Sequence, residues 1–152
     1  MTTAVAGASL VEIVNAIADQ VTDQVASQDL AGEALQVWPF LVLSPTPPCV
    51  DIYPADPFSE QTDYGPRTER DIWFTVRARV SPTDVDASQQ LLLQLMDPRS
   101  STSVFAALIA DRTLGGRVSD LLPSGPSGVI VYTPVGGEGY LVGCEWRTRI
   151  LL

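Results

Sequence analysis

Histidine is absent from this 152-residue chain. Ser-His-Asp and Cys-His catalysis therefore have no base here, and imidazole metal sites have no ligand. Carboxylates, arginines and two thiols are what remains for chemistry. Asp51, Asp56, Glu60 and Asp63 lie close together in sequence. Oxygen ligands of this kind suit a hard cation such as calcium or magnesium. Their spacing matches no EF-hand loop, and a solvated acidic loop is the plainer reading. Paired carboxylates also do acid–base work, but nothing in the sequence brings two of them into a pocket. The glycines of 137–143 hint at a phosphate cradle, yet such a loop follows a strand and opens a helix, whereas this one leads into a strand. Cys49 and Cys144 read as two small buried apolar residues, with a disulfide left open. The expectation is no catalytic residue, no metal site and no cofactor.

The arginines say more. In 70–80, Ile72, Phe74, Val76, Ala78 and Val80 alternate with Asp71, Trp73, Thr75, Arg77 and Arg79, the period of a half-buried strand. In 140–151, Tyr140, Val142, Cys144, Trp146, Thr148 and Ile150 alternate with Glu145, Arg147 and Arg149. If the two strands share a sheet, Arg77, Arg79, Arg147 and Arg149 crowd one surface beside Trp73. Like charges side by side are unfavourable unless something opposes them. Glu145 and Asp71 offset part of the charge, and the acidic first part of the chain offsets the rest, from within the chain or from a neighbour. Trp and Arg are enriched at interface hot spots. A half-buried ring on a solvated, salt-bridged sheet is the competing reading.

The charge is uneven. Residues 1–66 hold nine acids and no base; 67–152 hold nine acids and all nine arginines, with no lysine anywhere. The first part thus carries −9 and the rest sums to zero. Binding to nucleic acid through phosphates needs a basic patch and is not expected. The length fits one domain, 1–152, able to hold its own core. No apolar run reaches the ~18 residues of a membrane span, and the start lacks the pattern of a signal peptide. A soluble protein made in a cytoplasm is expected, with no membrane partner.

Around these strands the pattern predicts a helix over 9–26, with Ser9 and Glu12 as a capping box. Leu10, Ile13, Val14, Ile17, Val21 and Val25 form its apolar face, and Asp19, Gln20, Asp23 and Gln24 face away. An extended stretch over 36–43 follows, then a stiff proline linker over 44–48 and a short strand over 49–53. A long polar loop over 54–69 carries Asp56, Glu60 and Asp63. Helices are predicted over 84–96 and 102–111, the latter capped by Ser101 or Thr102 and burying Val104, Phe105, Leu108 and Ile109. A short strand spans 118–122, and a Gly/Pro-rich arm, mobile or a protruding hairpin, spans 123–139. Trp146 belongs to the core. The fold class is α+β, a mostly antiparallel sheet with helices packed on one face.

The order of these elements resembles the tail-terminator family of long-tailed bacteriophages. The resemblance is carried by the opening helix with Val37-Trp38-Pro39, by Pro48-Cys49-Val50-Asp51-Ile52-Tyr53-Pro54 leading into a polar loop, and by the strand from Ile72 to Val80. It continues through Leu91-Leu92-Leu93-Gln94-Leu95-Met96-Asp97, Ser103-Val104-Phe105-Ala106-Ala107-Leu108 and Leu114-Gly115-Gly116-Arg117-Val118, before the last strand. These are patterns of order and spacing, without a catalytic residue to carry over. The family implies a homo-oligomeric ring, a hexamer, at the head-proximal end of the tail tube in the virion. Such a ring ends tube polymerisation and docks the tail on the head. Its partners are its own copies, the tail tube protein and a head–tail connector of the neck, and DNA passes through unbound. Neck proteins joining portal to tail share this size and helix–strand order and are the alternative. A tail tube protein or a small bacterial ligand-binding domain ranks below both, and an enzyme last.

Overall fold

The structure, a computed structural model, describes residues 8–26, 35–43, 45–60, 71–81, 85–133 and 140–152, without the side chains of Glu60 and Val85. The first helix, α1, spans Leu10–Val21 and continues as a wider π-type turn over Thr22–Ala26. Ser9 caps it: its Oγ accepts a hydrogen bond from the Glu12 amide at 3.2 Å, satisfying one of the orphan donors of a helix start. Ile13, Ile17, Val21 and Val25 are fully buried, as their spacing predicts. Leu10 is exposed. Gln20 does not face away from the core, because its amide donates to the Ala107 carbonyl at 3.2 Å.

Among the described residues six strands form one sheet. β1 (Gln36–Trp38) runs parallel to the start of β2 (Cys49–Glu60), and β2 is antiparallel to β3 (Asp71–Val80). β3 is antiparallel to β6 (Leu141–Leu151), in register from Asp71↔Leu151 to Val80↔Val142. β4 (Asp120–Pro123) pairs with the end of β6 and β5 (Ile130–Tyr132) with its beginning. The order is β1-β2-β3-β6-β4, with β5 also on β6. The two strands with the clearest alternation are thus neighbours at the centre. The fold is α+β with a mostly antiparallel sheet, mixed only at the β1–β2 pair.

One face of this sheet, with Ile52, Phe74, Val76, Ala78, Cys144, Trp146 and Ile150, forms the core. α1, α2 (Val85–Met96) and α3 (Val104–Ile109) cover it. Leu91, Leu92 and Leu95 of α2 are buried. The cap of α3 is Ser103 rather than Ser101 or Thr102; its Oγ accepts from the Ala106 amide at 3.1 Å. Ile109 is exposed, because α3 ends there instead of running on to 111. In the turn that follows, Leu114, Gly115 and Gly116 take positive φ angles of 51°, 70° and 86°, a conformation glycine adopts without steric penalty.

Two expectations about loops change. β2 continues to Glu60, so the first part of the long polar loop is strand. Among the described residues β1 pairs with Cys49, Val50 and Asp51, and beyond them β2 has no strand partner on that side. There the missing amides of Pro54 and Pro57 remove no ladder bond, and a register shift between Pro54 and Ser59 absorbs them. Residues 61–69 of that loop lie outside the described residues. The described part of the Gly/Pro-rich arm is tied down along β6. Ser124 and Ser127 donate from their amides to the Arg147 and Glu145 carbonyls, each at 2.8 Å, and β5 then forms a hairpin with β6. Residues 134–139 lie outside the description. Among the described residues, no helix is long and apolar enough to cross a membrane.

Candidate interaction face

Pairing β3 with β6 puts Trp73, Arg77, Arg79, Arg147 and Arg149 on the sheet face turned away from the helices. Trp73 lies opposite Arg149, Thr75 opposite Arg147, and Arg77 opposite Glu145. Among the described residues no helix covers this face. It divides into two halves.

The half at the Cys49, Arg79 and Gly143 end of the strands is closed. Asp51, 0% exposed, sits directly across from Arg77. Its carboxylate accepts from Arg77 Nε at 3.0 Å and Nη2 at 2.6 Å, from Arg79 Nη2 at 3.0 Å, and from the Val42 amide at 3.1 Å. Arg79 Nη2 also donates to the Val42 carbonyl at 2.9 Å, so the ion cluster ties down the backbone after β1. Tyr53 and Tyr132 flank the Arg77 guanidinium, with ring centroids at 4.8 and 5.2 Å. Burial works against the Arg77 charge, but the hydrogen bond and the charge of Asp51 more than restore it and hold its pKa above the ordinary value. The Tyr132 hydroxyl donates to Glu145 at 2.7 Å. Burial first, and then that carboxylate, push the phenol well above its usual range. Burial likewise raises Tyr53.

The half toward the β4 end is open. The Arg147 guanidinium lies 4.1 Å from the Trp73 ring centroid, and that of Arg149 lies 5.9 Å from it. Arg149 pairs with Asp71 through Nε, at 2.8 Å, and through Nη2, and its side chain is 42% exposed. Among the described residues the Arg147 side chain donates to the Pro57 carbonyl, at 3.4 Å. Its Nε is buried without a hydrogen-bond partner, and it makes no ion pair among the described residues. Trp73 is half-buried between strand neighbours and these cations.

No protein-family model and no curated protein sequence matches this chain.

The geometry therefore gathers all five residues singled out as an interface onto one face, but it does not leave them equivalent. Arg79, with its side chain 4% exposed, is spent inside the chain and cannot meet a partner as it stands. Arg77 is nearly as enclosed, at 11%. Their neutralisation comes from the acidic first part of the chain, through Asp51. Sequence reading placed Asp51 among candidate cation ligands; its oxygens are instead taken up by two arginines and an amide. It also passed over Tyr53 and Tyr132. Tyr53 carried a signal, since it stands two residues from Asp51 and so shares its face. Asp56 is exposed on β2, whereas the Glu60 side chain and Asp63 lie outside the description. Among the described residues no three acids or thiols converge on a point that would hold a metal ion.

Cys49 pairs with Arg79 and faces the arginine side, whereas Cys144 pairs with Ala78 and faces the core. Both thiols are free and buried. Burial raises the pKa of each, that of Cys144 to about 12. Elsewhere, Glu12, Asp19, Asp23, Asp111 and Arg117 help line a cleft of about 390 Å³ between α1 and the turn after α3. An apolar groove of about 330 Å³ lies between the start of α1 and the segment around Phe40 and Leu41.

Proposed function

We propose that this chain is a structural assembly subunit, not an enzyme, of the tail-terminator type. Copies of it form a ring on the head-proximal end of a phage tail tube. The ring ends tube polymerisation and docks the tail to the neck of the head. The observation that carries the reading is the open half of the sheet face. Trp73 with Arg147 and Arg149 forms a pre-ordered aromatic–cationic surface, and residues of this kind anchor protein interfaces. Arg147 there lacks a carboxylate among the described residues. The resemblance in element order supplies the kind of assembly. The acidic segment with Asp56, Glu60 and Asp63 is assigned to the channel, where negative charge repels DNA phosphates and lets the genome slide. A map of the assembled ring with 54–69 on its outer wall would remove that assignment.

The deciding experiment is deletion of the gene from its phage, followed by negative-stain imaging of the lysate. Overlong, irregular tails beside unattached filled heads are expected. Tails of normal length beside unjoined heads would move the protein to the neck, as a connector between portal and tail.

A further inference from the structure

We propose that the open Trp73–Arg147 end of the sheet face docks, head to tail, onto the acidic α1 cleft of a second copy of this chain. The inference rests on the ring-subunit reading above and names the two surfaces that meet. On the sheet side, Arg147 is the arginine of the face with no ion pair among the described residues, and its Nε is buried without a partner. Arg79 Nε in the closed half is buried without a partner as well, so what sets Arg147 apart is its lack of an ion pair among the described residues. Trp73 holds the guanidinium in place from one side, at 4.1 Å. Its charge is met by no carboxylate among the described residues.

The chain supplies carboxylates on its other side. Glu12, Asp19, Asp23 and Asp111 line the α1 cleft against one base, Arg117. Asp111 stays ionised to unusually low pH, because Thr113, through its hydroxyl and amide, and the Gly115 amide hydrogen-bond its carboxylate. Glu12, Asp19 and Asp111 are exposed. Helices cover one face of the sheet and the arginines occupy the other, so cation and acid lie on opposite sides of a two-layer unit. They cannot meet within one chain. A contact between two different patches is heterologous: repeated by one rotation it closes a ring, and otherwise it runs on as a filament. Opposite potentials on the two patches also fix the register and exclude face-to-face pairing of like patches.

A charge swap tests this on the purified full chain. Arg147→Glu makes both patches acidic, and Asp19→Arg turns the cleft toward base. Self-association is followed by sedimentation velocity and by the Trp73 indole resonance over a dilution series. The wild type is expected to shift with concentration, and each variant alone to associate at least about tenfold more weakly. An equimolar mixture of the two variants is expected to regain association, because the unaltered face of Asp19→Arg meets the unaltered acidic cleft of Arg147→Glu. A mixture no better than its components overturns the proposal, as does a wild type whose indole resonance is independent of concentration. Near-UV circular dichroism checks the fold, and Arg147→Gln replaces Arg147→Glu should the latter misfold. The lysate experiment separates the two claims. A successful swap with normal tails on gene deletion keeps the contact and discards the terminator role. A failed swap with overlong tails does the reverse.

Discussion

One sheet face carries four arginines in two pairs, and the pairs have opposite fates. Arg77 and Arg79 converge on a carboxylate with no solvent exposure, enclosed by two tyrosines and the backbone at Val42. Arg147 and Arg149 lie over Trp73, one paired to a partly exposed aspartate and the other to no acid among the described residues. The difference lies in what stands across the strand. Arg77 faces Asp51 on β2 and Glu145 on β6, whereas Arg147 faces Thr75. Charge fully answered inside the chain contributes to the subunit's own structure. Charge answered in part remains available to a neighbour.

The contrast breaks most visibly at Asp51. Removing one partner of a buried ion cluster leaves uncompensated charge, which costs about 3–5 kcal/mol. Asp51→Ala is therefore expected to lose about that much in a urea titration, with release of the segment around Val42. A loss below about 1 kcal/mol would mean that the cluster is solvated and the closed half is not closed. Gly143 probes the same half from β6, opposite Arg79. A Cβ built there would stand 1.9 Å from the Ala78 carbonyl oxygen and 3.1 Å from the Arg79 Cα. Backbone must move, so Gly143→Ala is expected to cost about 1–3 kcal/mol or more. A neutral result would show that β3 and β6 are less tightly apposed at this point.

The same contrast marks what the sequence made legible. Alternation in 72–80 and 142–150 established both central strands, the core side and the membership of the arginine face. Asp51 also left a trace, since a carboxylate among Val50, Ile52 and Cys49 must be paired or protonated when buried. Its partner was not legible, because that depends on the β2–β3 register, which no local pattern encodes. Pro54 and Pro57 read as loop, because their tolerance on an edge strand follows from β1 being three residues long, a tertiary fact. Tyr132 was hidden in a Gly/Pro-rich stretch that lines up along β6 through backbone bonds and the hydroxyls of Ser124 and Ser127. Helix positions followed their spacing except at Leu10 and Ile109, next to the ends, where a helix face no longer meets its neighbour, and at Gln20, whose amide reaches the Ala107 carbonyl.

In the open half the expected effects are small. Arg147→Ala loses a cation–π contact worth about 0.5–1 kcal/mol and removes a buried donor without a partner, so its net cost is expected below about 1 kcal/mol. A loss comparable to that of Asp51→Ala would place Arg147 in the subunit's own framework and weaken its case as an interface residue. Asp71→Asn tests the neighbouring pair. Exposed ion pairs contribute about 0–1 kcal/mol and fade with salt, so the variant and the wild type should converge as sodium chloride is raised. Persistence of the difference at high salt would show the pair to be shielded.

The two thiols flank the closed half, Cys49 on its outer side beside Arg79 and Cys144 behind it in the core, and they offer the gentlest probe. Burial raises both pKa values from an ordinary 9.0. Near pH 9 the unfolded chain then releases protons that the folded chain keeps, so stability is full below that pH and declines as pH rises toward the folded value, about 12 for Cys144. The expected loss at pH 9 relative to neutrality is about 0.4 kcal/mol for Cys144, seen as a small fall in the urea midpoint that Cys144→Ala reduces. A thiol reagent at neutral pH should label neither cysteine until urea unfolds the chain. Cys49 decides the matter, because only it lies on the arginine side. If Cys49 reacts in the folded protein while Cys144 does not, water reaches the Asp51 cluster from outside. The two halves of the face would then differ in degree of pairing and not in closure.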